Sequence, residues 1–117
     1  MSEYLYRACI MTSKIVPLTV EHCTKSLEFF VKMNGAKSVL QYRRLSNGVL
    51  DLYHTEVPPI FQGKGVAKML CQAAFSYARE QNLRILPTCS YVAKYAKQMA
   101  SPEEKTIVIC REKMKRL

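Results

Sequence analysis

Two Asn-Gly dipeptides separate three strand-like segments in the first half of the chain. They are Asn34-Gly35 and Asn47-Gly48. Asparagine and glycine both tolerate a positive φ, which suits this dipeptide to the tight turn of a β-hairpin. Strands joined by such short turns are antiparallel, because a parallel connection needs a longer crossover. The sequence therefore predicts three antiparallel strands.

The apolar residues of these segments alternate as expected for strands. In the first segment, one side carries Leu27, Phe29, Val31 and Met33. The second segment covers 38–45, and the third covers 49–57 and stops at Pro58. In the third we predict two faces, one with Leu50, Leu52, His54 and Glu56 and the other with Val49, Asp51, Tyr53, Thr55 and Val57.

A glycine-broken loop, Gln62-Gly63-Lys64-Gly65, follows and leads into an amphipathic stretch over 66–81. The first turn of a helix leaves N–H groups without an acceptor, and the helix dipole adds partial positive charge there. No Ser, Thr, Asp or Asn stands as a cap at this position. A phosphate or pyrophosphate beside Lys64 would satisfy these amides, and so would water. The alternative is a plain loop between strand and helix.

The last part of the chain contains a proline-interrupted strand. Residues 83–89 have strand character, but Pro87 cannot donate a ladder hydrogen bond, which indicates a bulge or a splayed edge. An ordinary edge strand is the alternative. Residues 90–99 predict a short helix, and Ser101-Pro102 predicts the start of another. The β-branched run 106–109 favours a strand instead.

Length and composition limit the remaining possibilities. With 117 residues and 49% hydrophobic content, we expect one domain over 18–117 and an N-terminal tail over 1–17, with disorder as one interpretation. No run of eighteen apolar residues occurs, so we expect no membrane span. Five cysteines without a paired metal motif favour a reducing compartment and no metal. We expect a cytoplasmic protein, with the nucleus and mitochondrion as alternatives.

The positive charge is concentrated in the second half of the chain. Residues 1–58 carry a net charge of +2 and residues 59–117 a net charge of +7. Lys64 and Lys68, together with Lys94 or Lys97, could therefore steer an anionic ligand towards the loop. Nucleic acid is another possible ligand, but no interleaving of aromatic and basic residues supports it.

Three motifs in this order resemble the Gcn5-related N-acetyltransferases. Residues 62–67 meet the superfamily signature of Arg or Gln, two residues, Gly, one residue, and Gly or Ala. His54-Thr55-Glu56-Val57-Pro58 before the loop, and Thr88-Cys89 with Tyr91 and Tyr95 after it, resemble the compact single-domain subfamily. The resemblance covers residues 18–98 and implies an α+β fold, a mostly antiparallel central sheet with flanking helices.

By this resemblance the chain uses acetyl-coenzyme A. The pyrophosphate would lie on the loop amides, and the pantetheine arm would follow the strand after the helix. The predicted contacts with the cosubstrate are Val57, Gln62, Gly63, Lys64, Gly65, Val66, Ala67, Lys68, Cys89, Ser90 and Lys94.

Four side chains are candidates for the chemistry of acetyl transfer. His54 could accept a proton from an amine, and Glu56 could orient His54 or act in its place. Cys89 could protonate the departing thiolate or accept the acyl group itself. Tyr95 lies where the superfamily often has a tyrosine acid. The alternatives are a strand-end histidine, a buried inert thiol and a core tyrosine.

The predicted function is therefore transfer of an acetyl group from acetyl-coenzyme A to an unidentified amine, by direct attack or through acyl-Cys89. A coenzyme A-binding module without turnover, acting as a sensor or scaffold, is the second hypothesis. A basic RNA-associated domain is the third, and its retention on RNA would depend strongly on salt.

Overall fold

The computed structural model describes residues 4–7 and 18–109. Within these ranges the chain forms one six-stranded sheet, a 3-10 turn and three α-helices. The strands are β1 Tyr4–Arg7, β2 Thr19–Cys23, β3 Glu28–Met33, β4 Ala36–Leu45, β5 Val49–Glu56 and β6 Arg84–Pro87. The 3-10 turn is Pro59–Phe61, and the helices are α1 Val66–Glu80, α2 Ser90–Gln98 and α3 Pro102–Lys105. In the described part, no helix is both long and apolar enough to cross a membrane.

The strands lie side by side in the order in which they occur in the sequence. Strands β1 to β5 pair antiparallel, whereas β5 and β6 are parallel. Helix α1 provides the crossover that this parallel pair requires. Asn34 and Gly35 join β3 to β4 with φ values of 49° and 79°, as the sequence predicts. The predicted mostly antiparallel sheet with flanking helices is confirmed.

Strand β2 was not predicted, because its inward-facing positions are occupied by Val20 and by His22, a residue that interrupts the apolar pattern. Strand β1, which pairs with β2, lies inside the segment predicted to be a tail. That segment therefore contains regular structure at Tyr4–Arg7. The remaining residues of the predicted tail, 1–3 and 8–17, lie outside the described residues.

The hydrophobic core lies between α1 and one face of the sheet. Leu40, Leu50 and Leu52 on the strands and Leu70 and Phe75 on the helix are all fully buried. Burying a side chain of this size stabilises the folded state by about 1.5–3 kcal/mol. The helix is therefore held to the sheet by its apolar stripe.

The pairing of β4 with β5 contains one extra residue on β5. Gln41 pairs with His54, but the next residue of β4, Tyr42, pairs with Leu52. Tyr53 therefore has no partner of its own, which is the arrangement of a β-bulge. A bulge changes which face the following side chains occupy.

The bulge corrects the predicted faces of β5. Leu40 and Tyr42 are two residues apart on β4 and both belong to the core, so their partners Thr55 and Leu52 also lie on the core face. The residues on either side of Thr55 lie on the opposite face: His54 and Glu56. The prediction that grouped these two with Leu50 and Leu52 is wrong, because a strict period of two cannot account for an inserted residue.

His22 is a buried histidine within the sheet, and only 4% of it is exposed. Its ring stacks on Phe29 with the centroids 4.1 Å apart, and its Nε2 lies 2.6 Å from the Tyr42 hydroxyl. Burial lowers the pKa of His22 to about 4. The imidazole is therefore neutral in the folded protein at neutral pH.

We expect His22 to make the fold less stable in mild acid. Its pKa is lower in the folded state than in the unfolded chain, so protons bind the unfolded chain first as the pH falls. The His22 contribution is complete above about pH 6.5 and is lost towards pH 4, a change on the order of 2–3 kcal/mol. Urea unfolding at several pH values measures this loss.

The double variant His22→Phe/Tyr42→Phe is the control for this prediction. It keeps the stacked ring and removes both partners of the buried hydrogen bond, so neither polar group is left unpaired. We expect the double variant to lose clearly less stability than the natural chain over this pH range. Equal losses in the two proteins would show that other groups cause the acid sensitivity.

Candidate active site

The glycine loop lies between the end of β5 and the start of α1. Phe61, only 1% exposed, anchors its first part in the core. Gly63 and Gly65 then take positive φ values of 76° and 70°. Gly65 is the N-cap of α1 and offers no side chain to cap the helix, as the sequence predicts.

The backbone amides in the first turn of α1 follow directly after this loop. The first intrahelical hydrogen bond runs from the Met69 N–H to the Gly65 carbonyl at 3.1 Å. The amides of residues 66–68 precede it and have no acceptor within the helix. Val66 is buried and holds the turn in place, while Lys64 and Lys68 are exposed beside it. The loop therefore combines free amides, positive helix dipole and two lysines.

The space outside the loop is open. A Cβ atom at Gly63 or Gly65 would meet no atom within 4 Å, so these positions require glycine because of their backbone angles. Gln62 is exposed at the same loop, and Ala67 is half-buried in the first turn of the helix. An anion such as a pyrophosphate fits this arrangement, because amides and ammonium groups can reach it without displacing protein atoms.

Cys89 lies where β5 and β6 separate. Strand β6 ends at Pro87, which pairs with Leu52, while β5 continues to Glu56. The Cys89 amide donates to the Leu52 carbonyl at 2.9 Å. Beyond this bond β5 extends past the end of β6, because β6 ends at Pro87 and does not continue to residue 89. The bulge or splayed edge predicted from Pro87 stays a prediction.

The Cys89 thiol is half-buried and lies in a polar setting. Burial by itself would raise its pKa, but hydrogen bonding to the Thr55 hydroxyl, 3.3 Å from Sγ, lowers it. Cys89 is also the N-cap residue of α2, and the amides of Tyr91 and Val92 lower the pKa further without forming a standard capping bond. The net result is a pKa below the ordinary value for a thiol.

Cys71 provides the contrast within the same core. It is fully buried in α1, and burial raises its pKa well above the usual range. The thiolate is the nucleophilic form of cysteine. Of these two thiols, Cys89 is therefore the one suited to nucleophilic chemistry.

His54 and Glu56 lie together on the other face of β5. His54 Nε2 is 3.7 Å from Glu56 Oε1, and their side chains are 49% and 67% exposed. The structure therefore brings this predicted pair together. It is Thr55, between them in the sequence, that lies on the face of the Cys89 thiol.

The other predicted site residues are distributed along α2 and at the end of β5. Ser90 and Lys94 are exposed on α2, and Val57 is partly buried against the core. Tyr95 is buried, and its hydroxyl donates to Glu104 Oε1 at 3.0 Å. Burial and this bond raise the pKa of Tyr95. The acid role of Tyr95 stays a prediction, and it would require the hydroxyl to leave Glu104.

Comparison with known proteins decides the family. The family model of the GCN5-related N-acetyl-transferases matches residues 28–105. The chain belongs to the GCN5-related N-acetyltransferases. Members of this family use acetyl-coenzyme A, which agrees with the loop and the separated strands. The matched range includes β3 to α3 and therefore contains every candidate site residue.

Several vertebrate proteins and one solved structure are similar to this GCN5-related N-acetyltransferase. Protein NATD1 from Gallus gallus is 39% identical over 89 residues, which cover 74% of this chain and 81% of that protein. Protein NATD1 from Homo sapiens is 38% identical over 89 residues, 74% of this chain and 79% of that protein. A GCN5-like protein from Staphylococcus aureus, solved by NMR, superposes with a TM-score of 0.61 at 25% identity. The superposition covers 77% of this chain and 86% of the Staphylococcus aureus chain, which confirms the fold of the GCN5-related N-acetyltransferases.

Three polar residues make contacts around Cys89 that the sequence does not predict: Thr55, Thr88 and Asp51. Thr55 contacts the thiol, and the Thr88 hydroxyl donates to Asp51 Oδ1. Thr55 was assigned to the opposite face from Leu52, because the bulge at Tyr53 was not recognised. Thr55 is 34 positions from Cys89 in the sequence, and Asp51 is 37 positions from Thr88. No local pattern therefore indicates these contacts.

Replacing Thr55 by valine tests how the Cys89 thiol is activated. The valine has a similar shape but cannot donate to sulfur, so we expect the pKa of Cys89 to rise. One lost hydrogen bond to a charged group corresponds to roughly a tenfold slower alkylation by iodoacetamide at neutral pH. Peptide mass spectrometry separates Cys89 from the other cysteines. Thr24→Val, in the exposed β2–β3 turn, should leave the rate unchanged, and an unchanged rate in Thr55→Val would contradict this account.

Proposed function

We propose that this protein transfers an acetyl group from acetyl-coenzyme A to an amine, with Cys89 at the reacting centre. The observation that carries the proposal is the Cys89 thiol, which has a lowered pKa and lies where β5 continues beyond β6. Family membership supports the reaction class and the acetyl donor. The acceptor is an amine whose identity neither the family nor the site defines.

In this proposal the loop holds the anionic part of the donor. The amides of residues 66–68 donate to the pyrophosphate, and Lys64 and Lys68 neutralise part of its charge. The free edge of β5 beyond Leu52 offers backbone groups to the pantetheine arm. Ser90 and Lys94, exposed on the first turns of α2, are then close to the path of that arm.

In the covalent route Cys89 acts as the nucleophile. Its thiolate attacks the thioester carbonyl carbon, a new C–S bond forms, and the bond to the coenzyme A sulfur breaks. Coenzyme A leaves as a thiolate and takes a proton from water. The amine then attacks the acetyl carbon, the amide forms, and the Cys89 thiolate departs. The proton lost by the amine passes to His54, directly or through water.

In the direct route the amine attacks the donor thioester without an enzyme-bound intermediate. His54 again accepts the amine proton, and Glu56 orients its ring from 3.7 Å. Cys89 then serves as the acid that protonates the departing thiolate. Cys89 and His54 take part in both routes, but Cys89 is the nucleophile that carries the acetyl group in the covalent route and the acid in the direct route.

Gly65→Ala tests the loop as the donor site. Alanine at a φ of 70° is strained by roughly 1–2 kcal/mol, so the loop should relax and turn its amides away. We expect affinity for acetyl-coenzyme A, measured by isothermal titration calorimetry, to fall at least about tenfold. Gly48→Ala is the matched control, because Gly48 has a φ of 76° and open space around it but lies in the β4–β5 turn. Equal affinities for the two variants would refute the assignment.

Intact mass spectrometry separates the two routes. The protein is mixed with acetyl-coenzyme A and no acceptor, and its mass is read at early times. For the covalent route we expect an increase by one acetyl group that Cys89→Ser abolishes. Cys23→Ser should retain the adduct, because Cys23 also has a lowered pKa but is the last residue of β2, outside the candidate site. Acetyl transfer to an amine without any early adduct would establish direct attack.

The same measurements test a coenzyme A-binding module without turnover. The large exposure of His54 and Glu56 favours this second function, because a proton acceptor in a catalytic site is usually shielded from bulk water. Tight binding of acetyl-coenzyme A, with neither an adduct nor transfer to a broad panel of amines and peptides, would establish it.

A further inference from the structure

The two-residue connection between β6 and α2 is fastened to β5 at three points. Thr88 donates its hydroxyl to Oδ1 of Asp51, and the Cys89 amide donates to the Leu52 carbonyl. The Thr55 hydroxyl lies 3.3 Å from the Cys89 sulfur. Strand β5 therefore holds this connection through residues on both of its faces, at the point where β6 ends and β5 continues.

Asp51 is the anchor that the reaction does not otherwise use. It is 8% exposed, and its second oxygen, Oδ2, lies 3.5 Å from Arg43 Nε. Arg43 in turn stacks over Tyr53, with its guanidinium carbon 4.4 Å from the ring centroid. A carboxylate at this depth is unfavourable unless its oxygens are paired. Both carboxylate oxygens of Asp51 therefore have a partner. Oδ2 lies near Arg43, and Oδ1 accepts from Thr88, the residue that precedes Cys89.

Resting on the proposed role of Cys89, we propose that Asp51 is a positioning residue that acts through Thr88 to hold the Cys89 thiol in its reactive orientation. Rotation of the backbone at Thr88 would move the Cys89 sulfur away from Thr55 and from the amides of Tyr91 and Val92. The hydrogen bond to Asp51 opposes that rotation. The thiol therefore depends on a carboxylate on the opposite face of β5.

The test uses the full chain and the variants Thr88→Val, Thr88→Ser and Asp51→Asn. The rate of Cys89 alkylation by iodoacetamide is measured from pH 6 to pH 10, within the range where a thiol titrates, and urea unfolding checks that each variant is folded. We expect Thr88→Val to react about tenfold more slowly at neutral pH, with its profile displaced to higher pH, as for one lost hydrogen bond. Thr88→Ser, which keeps the hydroxyl, should react within about twofold of the natural chain.

Two further measurements separate positioning from a general structural effect. Affinity for acetyl-coenzyme A should change less than about twofold in Thr88→Val, because Thr88 is not part of the glycine loop that is proposed to bind the pyrophosphate. Asp51→Asn keeps an acceptor oxygen but loses the charge, so its alkylation rate should lie between those of the natural chain and Thr88→Val.

A folded Thr88→Val with the natural alkylation profile would overturn the proposal, and so would a Thr88→Ser as slow as Thr88→Val. If Thr88→Val does not fold, Asp51→Asn decides: a natural profile in that folded variant overturns the proposal, and a displaced profile supports it. Alkylation needs no acetyl-coenzyme A. A failure of the proposed function, seen as absence of binding, adduct and transfer in the natural chain, is therefore distinguishable from a failure of the Asp51–Thr88 contact.

Discussion

The pairing of β4 with β5 determines which side chains meet at the candidate site. One extra residue, Tyr53, turns Thr55 towards the core and places His54 and Glu56 on the opposite face. Thr55 then reaches the Cys89 sulfur, which the Leu52 carbonyl holds in place through the backbone. The bulge therefore places the Cys89 thiol on one face of β5 and the His54 imidazole, the proposed proton acceptor, on the other.

Much of the fold is predictable from local sequence, because each local feature has a short-range physical cause. The Asn-Gly turn at 34–35 and the uncapped start of α1 at Gly65 follow from the residues at those positions, and the start of α3 follows from the capping box of Ser101 and Glu104. Strand β2 is not predictable in this way, because His22 is a polar residue that packs in the core by stacking on Phe29 and by a hydrogen bond to Tyr42. A histidine stacked on Phe29 fills a core position that a hydrophobicity pattern leaves blank.

The candidate site is predictable only in part, for a different reason. The loop is a continuous segment, so its glycines and lysines are visible in the sequence as one motif. The setting of Cys89 is assembled from Thr55, Leu52 and the first turn of α2, which meet only after the chain has folded. A one-residue bulge reverses the predicted face of Thr55, and no period-two pattern contains that information. Resemblance to a family names the thiol but not the groups that tune it.

Strands β5 and β6 pair although the whole of α1 separates them in the sequence, whereas the hairpins of the sheet join neighbouring segments. Contacts between residues far apart in sequence are costly in chain entropy, and they form late when a domain folds. The surroundings of Cys89 depend on this distant contact. Partial opening of β6 and α2 would therefore abolish the thiol's environment while the hairpins stay folded. In the proposed reaction, acetyl transfer would therefore require the intact pairing of β5 with β6, and not only the folded hairpins.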